Sequence, residues 1–304
     1  GWLFVWEAFH MNAKSMKPAS PPPSSGWNWN AILGDSPALA FLNYPLDLEA
    51  KSPQGILPLT WDAPTFGYYG FRNSWAGADD FIVQVFLKAQ HIGGWNGQNA
   101  GTFRVLGLGQ VWAHGPTDRS RSRWEESVVW LPEDDINLDA CARLTDSKFE
   151  PDGSGVVNFD LADVYAGANR DERGNAQLYE RYGGIRRASA FKDSGITGHR
   201  SIAVDYSGKS GAPCLLAIAD KIRGGKSKVW VWQLGQAAGE NPVNDLAHTR
   251  VEGNTFTITK GDATLRGTFL APKNLKLTAG VREKSMVGGA ASVAGKVLER
   301  PIAG

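Results

Sequence analysis

The sequence predicts a mainly β protein: a large antiparallel β-sandwich preceded by a few helices. Three observations lead there. From about residue 53 the chain runs as short apolar or β-branched stretches cut by Gly, Asn and Asp turn signals, the spacing of an antiparallel sandwich. Glycine is abundant, at 36 of 304 residues, which suits turn-rich β structure. Residues 1–17 (GWLFVWEAFHMNAKSMK) carry few breakers and read as one helix, unlike the stretches beyond residue 53.

The elements follow in order. After the first helix, PASPPPSSG (18–26) is an extended, solvated break. A short helical pattern runs over Ala31 to Leu48, with Ser36-Pro37 as its start. Candidate strands are 66–72, 81–89, 102–108, 110–115, 126–131, 155–162, 201–207, 212–222, 228–234, 255–260 and 263–271. PDGSG (151–155) and VEGNT (251–255) read as hairpin turns. From Gly280 onward the composition suits a strand or two and a loose tail. No fixed-period repeat is present, which argues against a propeller or solenoid. The chain thus divides into a helical segment, 1–52, and a β-sandwich domain, 53–304.

Composition excludes several classes. With 42% apolar and 21% charged residues the chain is globular, not disordered. A net charge of +1 gives no bulk attraction for polyanions, so nucleic acid is not an expected partner. No run approaches the ~20 apolar residues of a membrane-spanning helix. Cys141 and Cys214 make no disulfide framework or zinc pattern, and both read as buried free thiols. Twelve tryptophans admit two uses, a rich core or flat faces for sugar rings.

The densest polar stretch is HIGGWNGQNAGTF, His91 to Phe103. Glycine lets backbone approach a ligand closely, and Asn and Gln offer both donors and acceptors to hydroxyl-rich molecules. Trp95 beside them offers a pyranose platform; the same stretch also reads as an elaborate β-turn.

RNSW (72–75) followed by ADDFIVQVFLKAQHIGGWNGQNAGTFRVLGLGQVWA resembles the heparinase II/III-type polysaccharide lyases. Arg72 and Trp75 match an Arg-x-x-Trp element. Gly93, Gly94, Ala100, Gly101 and Phe103 match a GGHxHxDAGxF-like motif, and Trp112-Ala113 a following strand end. WLPEDDIN, DGSGVVNFDLADVY and APCLLAIADKI extend the likeness, which covers most of residues 55–272. The resemblance implies that residues 1–52 are the end of an (α/α) toroid. A helical N-terminal chain or fragment would complete that toroid. It also implies a secreted or periplasmic protein whose partner is an acidic polysaccharide or oligosaccharide.

The departures matter as much. Where the family places metal-binding histidines and an aspartate, this sequence has Trp95, Gly97 and Asn99, and where it places a His-Asn pair, Glu126-Ser127. Trp and Gly supply no ligand and Asn a poor one, so no zinc and no cofactor are expected. The five histidines, at 10, 91, 114, 199 and 248, show no paired spacing.

β-Elimination from a uronate needs a group that neutralises the carboxylate, plus a base and an acid. The catalytic candidates are Tyr68, Tyr69, His91 and Asn96. The substrate-binding candidates are Arg72, Trp95, Gln98, Asn99, Arg123 and Glu126. Arg72 reads equally as a structural ion pair with Asp79 or Asp80, and the two tyrosines as ordinary strand residues. Arg119, Arg121 and Arg123 suit an anionic glycan or a solvated loop tip. Glu133, Asp134 and Asp135 suit a calcium ion or a surface turn. The alternatives to a lyase are a non-catalytic carbohydrate-binding or structural module, and a glycoside hydrolase using Glu125 or Glu126 with a second carboxylate.

Overall fold

The computed structural model describes residues 51–89, 99–115, 126–134, 142–165, 167–168, 191–192, 194–236, 244–285 and 288–297. The expected helices before residue 50 lie outside these residues. Within them the chain is mainly β, numbered β1 to β18 in chain order, and every strand pair is antiparallel. Two single turns of 3₁₀ helix, Asp163–Tyr165 and Asn244–His248, are the helical elements among the described residues.

The first sheet is a meander of five strands in chain order: β1 (Thr60–Ala63), β2 (Tyr68–Arg72), β3 (Ile82–Phe86), β4 (Thr102–Gly107) and β5 (Gln110–Ala113). A second has the order β12-β11-β8-β7, from β7 (Arg143–Phe149), β8 (Gly155–Asp160), β11 (Thr197–Asp205) and β12 (Leu215–Arg223). A third has the order β17-β18-β13-β6, from β6 (Val129–Trp130), β13 (Val229–Gln236), β17 (Leu275–Ser285) and β18 (Gly288–Val297). β14 (Thr249–Glu252), β15 (Thr255–Lys260) and β16 (Ala263–Thr268) form a three-stranded sheet, and β9 (Gly167–Ala168) pairs with β10 (Phe191–Lys192).

The four larger sheets meet in one core. Phe71, Val83, Val85 and Phe103 come from the first, Val157, Phe159, Ile202 and Val204 from the second, Trp232, Leu234 and Val293 from the third, and Phe256 and Ile258 from the fourth. Side chains alternate across a strand, so each sheet gives one apolar row to this cluster. The sheets are disposed as a propeller-like ring, where the spacing of strands had predicted a sandwich and the missing repeat had argued against a propeller. Their strand numbers differ, and strands distant in sequence pair, as β6 does with β13. Unequal blades leave no fixed period for a sequence to display.

The turn signals place the hairpins. β7 and β8 are joined through the PDGS turn, where Gly153 N donates to Glu150 O at 3.0 Å and Ser154 N to Asp152 Oδ1 at 3.0 Å. β14 and β15 are joined by Gly253-Asn254. Five strands have no counterpart in the sequence reading: the two-residue β9 and β10, and β1, β7 and β14. The short or charged sequences of β1, β7 and β14 (TWDA, RLTDSKF, TRVE) lack an apolar run. The strand expected at 126–131 shrinks to Val129–Trp130, so Glu126 and Ser127 precede it.

Of the two uses open to tryptophan, the core claims at least two side chains. Trp112 and Trp232 are buried, and Trp232 Nε1 donates to Trp112 O at 2.8 Å. Trp61 and Trp75 are half-buried at the edge of the first sheet. Cys214 is a free thiol but only half-buried, just before the edge strand β12.

Candidate functional site

The first sheet sorts its residues onto two faces. Tyr69, Phe71, Val85 and Phe103 point to the core, and their neighbours Tyr68, Gly70, Phe86 and Thr102 lie on the other face. Tyr68 and Tyr69 are thereby separated. Tyr69 is 1% exposed among core side chains, and burial followed by the charge of Asp62 pushes its phenol up. Tyr68 is half-buried on the opposite face and stacks on Phe86 with ring centroids 4.3 Å apart.

Across that face Tyr68 is in register with Phe86, and Phe86 with Thr102. Thr102 closes the glycine-rich stretch: its N–H donates to Asn99 O at 3.0 Å, and Gly101 N–H donates to Phe86 O at 2.8 Å. Ser127 N–H donates to Thr102 Oγ1 at 3.1 Å, which brings Glu126 to the same end of the sheet. A Cβ at Gly115 would fall 2.8 Å from Thr102 Oγ1 and 3.1 Å from Glu126 Oε2, so only glycine fits between them. Glu126 is fully buried, and Tyr68 feels its charge. Burial, then Glu126, pushes the Tyr68 phenol up. At neutral pH this group therefore stays protonated. Asn99 is 8% exposed, and its Oδ1 is buried with no hydrogen-bond partner among the described residues.

Arg200 holds the two segments together. It occupies an inward position of β11 and is 1% exposed. Its Nη1 donates to both Gly101 O and Ser127 O at 2.8 Å. Its Nε and Nη2 donate to Asp220 Oδ1 at 2.6 Å and Oδ2 at 2.9 Å. Asp220 is its register partner on β12. Such a bidentate pair fixes a guanidinium in one orientation. Sequence reasoning passed over Arg200. The signal was its place in GHRSIAVD, where the inward positions of an alternating strand read Gly, Arg, Ile, Val.

Arg72 is not part of this gathering. It is 4% exposed, with Nη2 on Asp80 Oδ2 at 2.8 Å, Nε on Ser74 O, and its guanidinium 3.9 Å from the Trp75 ring centroid. Of the two readings open for Arg72, the geometry is that of the ion pair, and with Asp80 rather than Asp79. An arginine saturated by a buried carboxylate has little left for a ligand. Trp75 is likewise engaged, its Nε1 donating to Pro58 O at 3.1 Å.

A second polar group lies beside Gly115. His114 Nε2 is 3.7 Å from Asp245 Oδ2, and Lys260 Nζ is 2.7 Å from the same oxygen. Burial pushes the Asp245 carboxyl up, but the nearby His114, 3.7 Å away, and the Lys260 hydrogen bond and charge outweigh it and hold the group below the ordinary value. The histidine spacing gave no hint of this partner, because Asp245 comes from a turn 131 residues on.

His91, Trp95, Asn96, Gln98 and Arg123 lie outside the described residues, as do Arg119, Arg121 and Asp135. Asp134 Oδ2 accepts Lys226 N–H at 3.0 Å, the work of a turn carboxylate. Among the described residues no group of three or more His, Cys, Asp or Glu could hold a metal ion. Among them also, no helix is long and apolar enough to cross a membrane.

No family model matches the chain, and no curated protein matches it.

Proposed function

We propose that the chain is a polysaccharide lyase, or the β half of one, that cleaves an acidic, uronate-containing glycan by β-elimination. The observation that supports this reading is the meeting of Tyr68, Asn99 and Glu126 at one end of the first sheet, from three separate segments of chain. In the reaction a base removes the proton alpha to the uronate carboxylate. The C–O bond one carbon further on breaks, and its oxygen takes a proton. Tyr68, kept protonated by burial and by the Glu126 carboxylate, is the donor to that leaving oxygen. The Asn99 amide hydrogen-bonds to the substrate carboxylate as charge builds on it. His91 and Asn96 remain the candidates for the base and for further carboxylate contacts, with Trp95, Gln98 and Arg123 binding neighbouring sugars. A helical segment, on this chain or another, closes the site, and the protein works in a secreted or periplasmic setting.

A second reading, a non-catalytic glycan-binding module, is favoured by one observation: the Arg72 guanidinium is consumed by Asp80 and Trp75. The test is an ultraviolet absorbance assay for unsaturated uronate on alginate, glucuronan, ulvan, heparan and chondroitin. Product on any of them supports the lyase. Binding to one of them without product supports the module. Neither product nor binding overturns both.

A further inference from the structure

One row of the first sheet lies two residues along from Tyr68, Phe86 and Thr102. Trp61 is in register with Gly70, Gly70 with Gln84, and Gln84 with Arg104. Residues two apart share a face, so this row and the Tyr68 row lie on the same side of the sheet, about 7 Å apart along the strands. Each member has a distinct property. A Cβ at Gly70 would fall 1.9 Å from Cε2 and Cζ2 of Trp61, so the indole lies flat on the backbone where a side chain would stand. Trp61 is nonetheless half-exposed. Gln84 is half-exposed, with a donor and an acceptor on its amide. Arg104 is half-exposed, and its Nε is buried with no hydrogen-bond partner among the described residues. It forms no ion pair among them either, in contrast to Arg72 and Arg200.

We infer that Trp61, Gln84 and Arg104 form a subsite for two adjoining sugar units of a uronate polymer lying across the strands. The indole carries the apolar face of one pyranose, Gln84 takes hydroxyls between them, and Arg104 takes the carboxylate of the next. The spacing fits. Strands lie about 4.8 Å apart, so Gln84 is roughly one strand and Arg104 roughly two strands beyond the Gly70 position that the indole covers. The ligand is an anion, because the half-exposed Arg104 guanidinium has no carboxylate partner among the described residues and its outer nitrogens pair well with one. Stacking on the indole supplies affinity without regard to charge. The subsite therefore divides its work: Trp61 holds any pyranose chain, and Arg104 chooses the acidic one. This rests on the proposed acidic-glycan function and names the residues that select the acid.

The test is titration calorimetry on the full chain with glucuronate and mannuronate oligosaccharides and a neutral cello-oligosaccharide of equal length. The wild type should bind at least one uronate oligosaccharide more tightly than the neutral one. Trp61→Ala should weaken all of them about tenfold. Arg104→Gln should remove the preference for uronate, a loss of about tenfold, and leave neutral binding unchanged. Arg104→Lys, which keeps the charge without the Nε, should recover part of the preference and guards against a misfolded Gln variant. Thermal unfolding of each variant is compared with wild type. Absence of uronate binding by the wild type, or a folded Arg104→Gln that keeps the preference, overturns the inference. If uronate binds through Arg104 but no unsaturated product forms, the lyase reading fails and the subsite stands. If product forms with a KM indifferent to Arg104, the subsite fails and the lyase stands.

Discussion

Tyr68 and Tyr69 are adjacent in sequence and opposite in chemistry, because a strand turns successive side chains to opposite faces. Tyr68→Phe removes one hydroxyl from a ring that keeps its stack on Phe86. We expect uronate cleavage to fall about 100-fold, as for loss of a general acid, with the unfolding temperature unchanged. An equal loss from Tyr69→Phe would contradict the assignment, since Tyr69 faces the core. Cys214 gives a second test at this scale. Burial, then the charge of Asp205, pushes its thiol up to about 12. The thiolate is the reactive form, so in a Cys141→Ser background native Cys214 should alkylate with iodoacetamide far more slowly at pH 8 than after denaturation. Equal rates would contradict the burial.

At the scale of elements, the site depends on β11 and β12 although neither contributes a candidate reacting group. Arg200 ties the turn at Gly101 to the segment at Ser127, and Asp220 keeps it oriented. Asp220→Asn leaves a buried cation with half its partner, a change expected to cost about 3–5 kcal/mol. Urea unfolding monitored by circular dichroism measures it, and a loss near zero would show the pair to be dispensable. The 3₁₀ turn at Asn244–His248 makes a pH-dependent contact with β15 and with His114, just past β5. The Asp245 carboxyl is lowered, so its share of stability is fully present above its unfolded value of about 3.9 and is lost as pH falls through the folded one. Acid unfolding of Asp245→Asn should consequently show a shallower loss of stability below pH ~4 than wild type.

Over the whole molecule, the four larger sheets share one main core cluster, and the third sheet adds a small second one of Val229, Val231 and Ala294. The described β region is expected to unfold in one step, with far-ultraviolet dichroism and tryptophan fluorescence giving coincident transitions. Two separated transitions would show that a sheet holds together alone.

Much of this was legible in the residues. Apolar alternation and turn chemistry are local, and they marked the strands from β2 to β5, the PDGS and Gly253-Asn254 hairpins and the mainly β class. The same locality hid β1, β7 and β14, whose sequences are polar because they lie at sheet edges with solvent on one side. It also hid the ring of sheets, since pairing between β6 and β13 joins segments about a hundred residues apart without any periodic trace. At the site, residue type identified Tyr68, Asn99 and Glu126 as polar groups worth watching. Type alone left Arg72 open between ligand and ion pair, and Asp80 decided it. Arg104, Arg200 and Asp245 drew no notice, because a charged residue reads as solvated until the fold brings its partner or leaves it without one. The sequence by itself determined strand propensity, turn positions and the chemistry on offer. Only the tertiary structure decided which carboxylate faces which cation and which side chains share a face, because those contacts are set by sheet register and packing between distant segments.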